Sequence, residues 1–171
     1  MNVSAIQTNT IHPSSPPTIY DVLEGVLPKN IPEKTVIAIT SKIVSICEGS
    51  VIKETDINKE DLIHSEADMY IPKQVNKYGV TLTIKNSIIA PSAGIDSSNG
   101  DGWYILWPKN PQQSANDIRT YLMNRYKITN IGVIITDSKT TPLRWGTSGV
   151  ALSHSGFLPL KNYISTRDLF G

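Results

Sequence analysis

Apolar and polar positions recur with different periods along this chain, and those periods divide it into elements. Ile19, Val22, Leu23 and Val26 share one face at helical spacing, which predicts a short helix from about Thr18 to Leu27 with Thr18 as its N-cap. The preceding His12–Pro17 stretch is rich in proline and serine and cannot be helical. Thr35 to Thr40 is β-branched and apolar, the pattern of a buried strand. Lys42 to Ile52 reads as a loop or second strand around Glu48 and Gly49, and about Lys59 to Met69 as a weakly patterned helix. Val80 to Ala90 alternates as one long strand, and Trp103 to Trp107 reads as another. The clearest helix opens at Asn110, a favoured cap, with Pro111 at its first position and Gln113 completing a capping-box pattern. Ala115, Ile118, Leu122 and Tyr126 give it one apolar stripe. Ile131 to Thr136 is the next buried strand. There is no internal repeat, low-complexity tract or interdomain linker. The expected fold is mixed α/β, an α+β arrangement of a mixed sheet with flanking helices, in a single domain spanning 1–171 whose first 17 residues are irregular.

Two of these strands end in chemistry. Pro91-Ser92-Ala93-Gly94-Ile95-Asp96-Ser97-Ser98-Asn99 and Ile131-Gly132-Val133-Ile134-Ile135-Thr136-Asp137-Ser138 each carry an apolar run into a carboxylate flanked by hydroxyl or amide side chains. Strand ends of this kind hold hard cations and phosphates, and Asp96 and Asp137 at neighbouring ends would offer the oxygen ligands that Mg²⁺ or Mn²⁺ takes. Ordinary strand-to-turn transitions use the same residue types, so both readings stand. Gly146, Gly149 and Gly156 are open to the same pair of readings, phosphate-binding backbone or bulges and tight corners.

Composition narrows the field. The chain has 171 residues, enough for one domain with a sizeable core, and 16 basic against 15 acidic side chains. With no basic block, nucleic acid and membrane surfaces have little support as partners, and no apolar run is long enough to cross a bilayer. Met1 to Thr10 lacks the basic and apolar regions of a signal peptide, and Cys47 is the single cysteine, so a reducing cytoplasm is the expected location. Cys47 reads as a small buried apolar side chain. A zinc site is disfavoured: His12, His64 and His154 lie far apart, and His154 sits in a Gly/Ser-rich stretch read as a turn. Neither a Walker A lysine loop nor a Gly-x-Gly-x-x-Gly helix opening is present.

Further ordered motifs accompany the two acidic segments. Upstream runs Thr40-Ser41-Lys42-Ile43-Val44-Ser45-Ile46-Cys47-Glu48-Gly49. Downstream come Thr141-Pro142-Leu143-Arg144-Trp145-Gly146, then Gly149 to Gly156, then Arg167-Asp168-Leu169-Phe170-Gly171. In this order, from near residue 18 to the end, the chain resembles the gamma-glutamyl ligases that build the tail of the deazaflavin coenzyme F-420. The resemblance implies a GTP-dependent amide ligase that joins L-glutamate to the coenzyme precursor with Mn²⁺ or Mg²⁺, and an intertwined homodimer. It assigns Asp96, Asp137 and Ser138 to metal and Asn99 to the nucleotide. Ser41 and Lys42, in the upstream turn, are further nucleotide-binding candidates, and Arg144 offers a guanidinium for phosphate or carboxylate. Glu48 is a candidate base or a structural partner to the backbone. Trp103, Tyr104 and Trp107 form a candidate dimer patch, with the internal core as the alternative use for at least one of them.

Two departures from the resembled pattern bear on activity. Ile46 stands where the resembled enzymes carry a nucleotide-contacting lysine, a charge that Lys42 could replace. The resembled enzymes also continue beyond the position of Gly171, so either a separate C-terminal subunit supplies that segment, or the site does something else, or the chain is a remnant, and little ligation is expected from this chain alone. The alternatives are a nucleotide- and metal-binding relative that does not ligate, and a ligase acting on another carboxylate. The choice of GTP over ATP rests on the resemblance.

Overall fold

The computed structural model describes residues 2–141 and 143–170. Met1, Pro142 of the Thr141–Gly146 motif and Gly171 of the closing motif lie outside the described residues.

The longest strands carry the frame. β1 (Thr35–Thr40) runs parallel to β7 (Ile131–Lys139), which pairs antiparallel with β8 (Ser148–Ser155), giving a mixed sheet of order β1-β7-β8. The parallel pairing needs a long crossover, and the intervening chain supplies it. Helices α1 (Ile19–Val26), α2 (Ser41–Cys47) and α4 (Pro111–Tyr126) supply apolar side chains to one core with this sheet. Leu23, Val44, Ala115, Ile118 and Leu122 meet Ile39, Ile131, Val133 and Ile135 there. The carboxylate of Glu33 accepts the backbone amides of Thr129 and Asn130 at 3.0 and 2.7 Å, tying the approach to β1 to the approach to β7.

A second, smaller core joins Leu62 and Ile63 of α3 (Lys59–Glu66) to Ala93, Ile95 and Tyr104. Around it lie an antiparallel pair, β2 (Val51–Lys53) with β6 (Trp103–Ile105), and a meander, β3 (Met69–Ile71), β4 (Leu82–Lys85) and β5 (Ile88–Pro91). The whole is a mixed α/β domain.

Several local expectations are corrected. The stretch from Lys42 to Ile52 is chiefly helix α2, followed by β2. Its β-branched residues favour a strand, yet Ser41, Val44, Ser45 and Ile46 are all buried by the helix, and that burial outweighs propensity. Val80–Ala90 is not one strand: Asn86 and Ser87, with φ of 50° and 62°, make the two-residue turn between β4 and β5. Helix α3 stops at Glu66, and Met69 opens a strand. Asn110 caps α4 through the Gln113 amide, but the Gln113 side chain bonds Asp117, so only half the capping box forms. The complete capping box is at α1, where Thr18 and Asp21 exchange hydrogen bonds. His154 lies within β8, its ring tilted against Phe157.

Of the three glycines near β8, Gly156 is accounted for by its backbone. Its φ is 93°, and an added Cβ would meet the Ile131 carbonyl at 2.3 Å, so a tight corner of backbone accounts for it. Cys47 is half-buried, and burial first, then the carboxylates of Glu48 and Asp21, pushes its thiol up to about 11. It is therefore protonated and unreactive at neutral pH. No helix among the described residues is long and apolar enough to cross a membrane.

Leu122 is fully buried in the main core, and shortening it leaves a cavity among side chains of a helix and two strands. Leu122→Ala is expected to destabilise the fold by about 2–5 kcal/mol, read as a lowered urea midpoint with an unchanged denaturant slope.

Candidate functional site

The segment carrying Asp96 begins with unusual backbone. Ser92, Ala93 and Gly94 follow one another with φ of 53°, 53° and 71°. Left-handed conformation costs L-residues roughly 1–2 kcal/mol each, so the surroundings must hold this turn. They do so through buried hydrogen bonds: Ala93 N–H donates to Thr83 Oγ1 at 2.9 Å, and Ser92 N–H to the Thr81 carbonyl at 2.9 Å. Beyond the turn, Asp96 exchanges two backbone hydrogen bonds with Ile105, extending β6.

That pairing sends the chain after β6 back over the turn. Trp107 is 4% exposed, and its indole lies against Gly94, where an added Cβ would stand 2.2 Å from the ring. The same indole donates Nε1–H to Asp137 Oδ2 at 2.5 Å. One buried side chain thus joins the two acidic segments, a role the sequence did not signal. Trp107 and Tyr104 are buried within the chain and Trp103 is half-buried under the Lys53 ammonium, so these three residues do not form an exposed dimer patch.

Asp137 is not at a strand end. β7 continues through it to Lys139, paired with Val150 and Ser148 of β8 respectively, and a bulge at Ile135/Thr136 shifts the register just before it. Bulges re-aim the side chains that follow them. Ser138 N–H donates to Asp137 Oδ1 at 2.8 Å, so both carboxylate oxygens are oriented.

Asp96 and Asp137 line one cavity of about 360 Å³, together with Thr40, Ser41, Lys42, Ser138, Thr140 and Thr147. Lys42 Nζ lies 2.6 Å from Asp96 Oδ2, and the Ser98 hydroxyl and amide donate to Oδ1 at 2.6 and 2.7 Å. Burial pushes the Asp96 carboxyl up, but the Lys42 ammonium and the Ser98 donors outweigh it and hold the group below its usual range. Lys59 donates to Ser97 Oγ at 2.8 Å, adding a second ammonium to this turn.

Of the sequence candidates, Ser41, Lys42, Asp96, Asp137 and Ser138 are brought together at this cavity. Asn99 is exposed on the turn beyond Asp96, with φ 55°, and does not line the cavity. Arg144 is exposed on the loop between β7 and β8, also off the cavity wall. Glu48 accepts the Ser114 hydroxyl at 2.5 Å, a link between the end of α2 and the start of α4 made through a side chain where a backbone partner was expected. Ile46 is packed in the interior at 4% exposure, whereas Lys42, one turn earlier, reaches the cavity.

The donors at the cavity are carboxylate and hydroxyl oxygens, with no imidazole or thiol. Among the described residues no group of three or more His, Cys, Asp or Glu side chains forms a metal cluster. Two carboxylates suit Mg²⁺ or Mn²⁺ bound with phosphate oxygens and water, and Asp96, Asp137 and Ser138 are the groups that could hold such an ion.

Comparison with known proteins gives the family. Residues 17–171 match the family described as F420-0:Gamma-glutamyl ligase. The coenzyme F420:L-glutamate ligase of Methanopyrus kandleri is 29% identical over 157 residues, covering 81% of this chain and 61% of that protein. The protein of the same name from Methanococcus maripaludis strain C7 is 32% identical over 170 residues, covering 89% of this chain and 67% of its own length. That of Methanocaldococcus jannaschii is 31% identical over 158 residues, with coverages of 82% and 62%. The chain thus spans about 61–67% of the length of these curated relatives.

A depressed carboxylate pKa contributes stability above the unfolded value of about 3.9, and that contribution is lost as pH falls through the folded value. Replacing Lys42 removes the main favourable partner and leaves the burial. In Lys42→Met, the Asp96 carboxyl is expected to titrate at higher pH than in the parent chain, as followed by carboxyl-carbon NMR. An unchanged midpoint would show that the ammonium does not govern this carboxylate.

Proposed function

Because this chain belongs to the F420-0:gamma-glutamyl ligase family, we propose that it binds a nucleoside triphosphate with Mg²⁺ or Mn²⁺ and serves the joining of L-glutamate to a deazaflavin coenzyme precursor. The observation that carries this reading is the convergence of Asp96 and Asp137, far apart in sequence, on one cavity that also holds Lys42 and Ser138.

The chemistry fits such a site. A carboxylate oxygen of the coenzyme precursor attacks the γ-phosphorus, the bond to the β-phosphate oxygen breaks, and an acyl phosphate and the diphosphate result. The glutamate amine then attacks the acyl carbon, the carbon–oxygen bond to phosphate breaks, and inorganic phosphate and a proton leave as the amide forms. A bound divalent ion supplies electrostatic stabilisation of charge on the phosphoryl oxygens. The chain's own part is positional. Trp107 and Ser138 N–H orient the Asp137 carboxylate, while Lys42 and Ser98 hold Asp96 and bring an ammonium to the same wall. GTP is the nucleotide proposed, by family membership, with ATP as the comparison.

One observation favours a second reading, a nucleotide- and metal-binding relative that does not ligate. Arg144, the guanidinium carried by the matching motif, is exposed and stands off the cavity. The two readings part on whether incubation with GTP, Mn²⁺, L-glutamate and the coenzyme precursor yields a glutamylated product by mass spectrometry.

A homodimer is also proposed. Leu158, Leu160, Ile164 and Phe170 of the C-terminal segment are 83–97% exposed, apolar surface of the kind that associates. Light scattering on size exclusion is expected to give twice the chain mass at micromolar concentration. A monomer across the dilution series would refute the dimer.

For the metal–nucleotide site, GTP with Mn²⁺ is expected to raise the melting temperature of the parent chain, since ligands that bind only the folded state stabilise it. Asp137→Asn keeps the shape and removes the charge, so it should fold and lose that increment. An equal increment in the variant would place the site elsewhere.

A further inference from the structure

β4 faces the wrong way for its composition. Thr83 and Lys85 are buried, at 1% and 9% exposure, while Leu82 and Ile84 on the opposite face are partly exposed. Thr81, just before the strand, is 2% exposed. A half-buried strand ordinarily turns its apolar row inward and its polar row to water. Lys85 is matched by the Glu66 carboxylate at 2.5 Å. The two threonines have a different use.

Both hold the turn that precedes Asp96. The Thr83 hydroxyl donates to the Ala90 carbonyl at 2.6 Å and accepts the Ala93 amide at 2.9 Å, so its hydrogen and a lone pair are both engaged. The Thr81 carbonyl accepts the Ser92 amide at 2.9 Å, and the Thr81 hydroxyl donates to Glu60 of α3. Lys73 Nζ lies 3.1 Å from the other oxygen of Glu60. Two successive amides of a left-handed turn thus end on two threonines that lie side by side on one face. Ser92 and Ala93, unlike Gly94, carry a Cβ that disfavours their φ of 53°. Backbone of this kind persists only where its surroundings fix it.

The turn seats both aspartates. Asp96 follows Gly94 by two residues, and the space left by the missing Cβ of Gly94 is filled by the Trp107 indole, whose N–H ends on Asp137. Relaxing Ala93 toward right-handed backbone would therefore disturb the approach to one carboxylate and the seat of the donor to the other. Thr83 itself does not line the cavity.

We propose that Thr83 is a positioning residue for the metal–nucleotide cavity, acting through the Ser92–Gly94 turn on Asp96 and, by way of Trp107, on Asp137. The role rests on the proposed metal site for what is positioned, and on the hydrogen bonds of the turn for how.

Thr83→Val keeps the shape of the side chain and removes the hydroxyl, and Thr83→Ser restores it. Leu122→Ala, in the main core, is the control for lost stability alone. Circular dichroism fixes a temperature at which every variant is folded. Mn²⁺ affinity is then measured with and without GTP, from the electron paramagnetic resonance of the free ion. The indole N–H signal of Trp107, assigned with Trp107→Phe, is followed by NMR in the metal-free chain. Thr83→Val is expected to weaken Mn²⁺ about tenfold, the low end for losing a group that orients metal ligands. It should also shift the Trp107 signal, whereas Thr83→Ser and Leu122→Ala leave both readouts as in the parent chain. If Thr83→Val does not fold, Thr83→Cys takes its place with the same expectation relative to Thr83→Ser, because a thiol is a weak donor and a weak acceptor. Parent-like Mn²⁺ affinity in the variant overturns the assignment, as does an equal loss in Leu122→Ala. If Asp137→Asn loses Mn²⁺ while Thr83→Val keeps it, the positioning role falls and the metal site stands. If the parent chain takes up no Mn²⁺ under either condition, the metal site falls and the positioning role falls with it.

Discussion

Trp107 holds this molecule's chemistry in place. Its ring fills the space that Gly94 leaves open, and its N–H ends on the carboxylate of Asp137. The first contact requires a residue without a side chain in a left-handed backbone. The second requires a buried donor facing a strand of the main sheet. Between them they dock the Asp96 turn against β7, so the geometry of the cavity depends on one indole. An aromatic of the same bulk without the N–H would keep the packing and leave Asp137 without its donor.

The two aspartates are also held differently. Asp96 has a close ammonium, a hydroxyl and an amide, and its charge is favoured despite burial. Asp137 is held by an indole N–H and its neighbour's amide, neutral donors that orient it without cancelling its charge. The cavity thus sets one carboxylate paired with an ammonium beside one whose partners are both neutral N–H groups.

Two cores share the work. The sheet β1-β7-β8 with α1, α2 and α4 makes a stable base that carries Asp137 and Lys42. The smaller core of α3, Ala93, Ile95 and Tyr104 carries the Asp96 turn. The cavity lies where these two bodies of packing meet, and Trp107 spans the joint.

Much of this was legible beforehand. The helical stripe of α4, the cap at Thr18 and the β-branched runs of β1 and β7 are local patterns, and local patterns survive folding when one face is buried. Asp96 and Asp137 could be singled out by their oxygen-bearing neighbours, Ser138 by the family resemblance and Lys42 by its charge, and with Ser41 they line one cavity. What could not be read were features created by contact. Helix α2 forms because its face is buried, against the preference of its β-branched residues. The β4–β5 turn hides in an alternating run because Ser87, unlike glycine, gives no sign of a positive φ. Trp107 could be read as patch or core but not as a link, because nothing in its neighbours shows that Gly94 and Asp137, from either side of it in the chain, would converge on its ring. The chain by itself determined which residues could do chemistry and which elements would hold them. Only the tertiary structure decided which met, because burial and hydrogen bonding across distant segments set those meetings, and such energies are not carried in any local stretch.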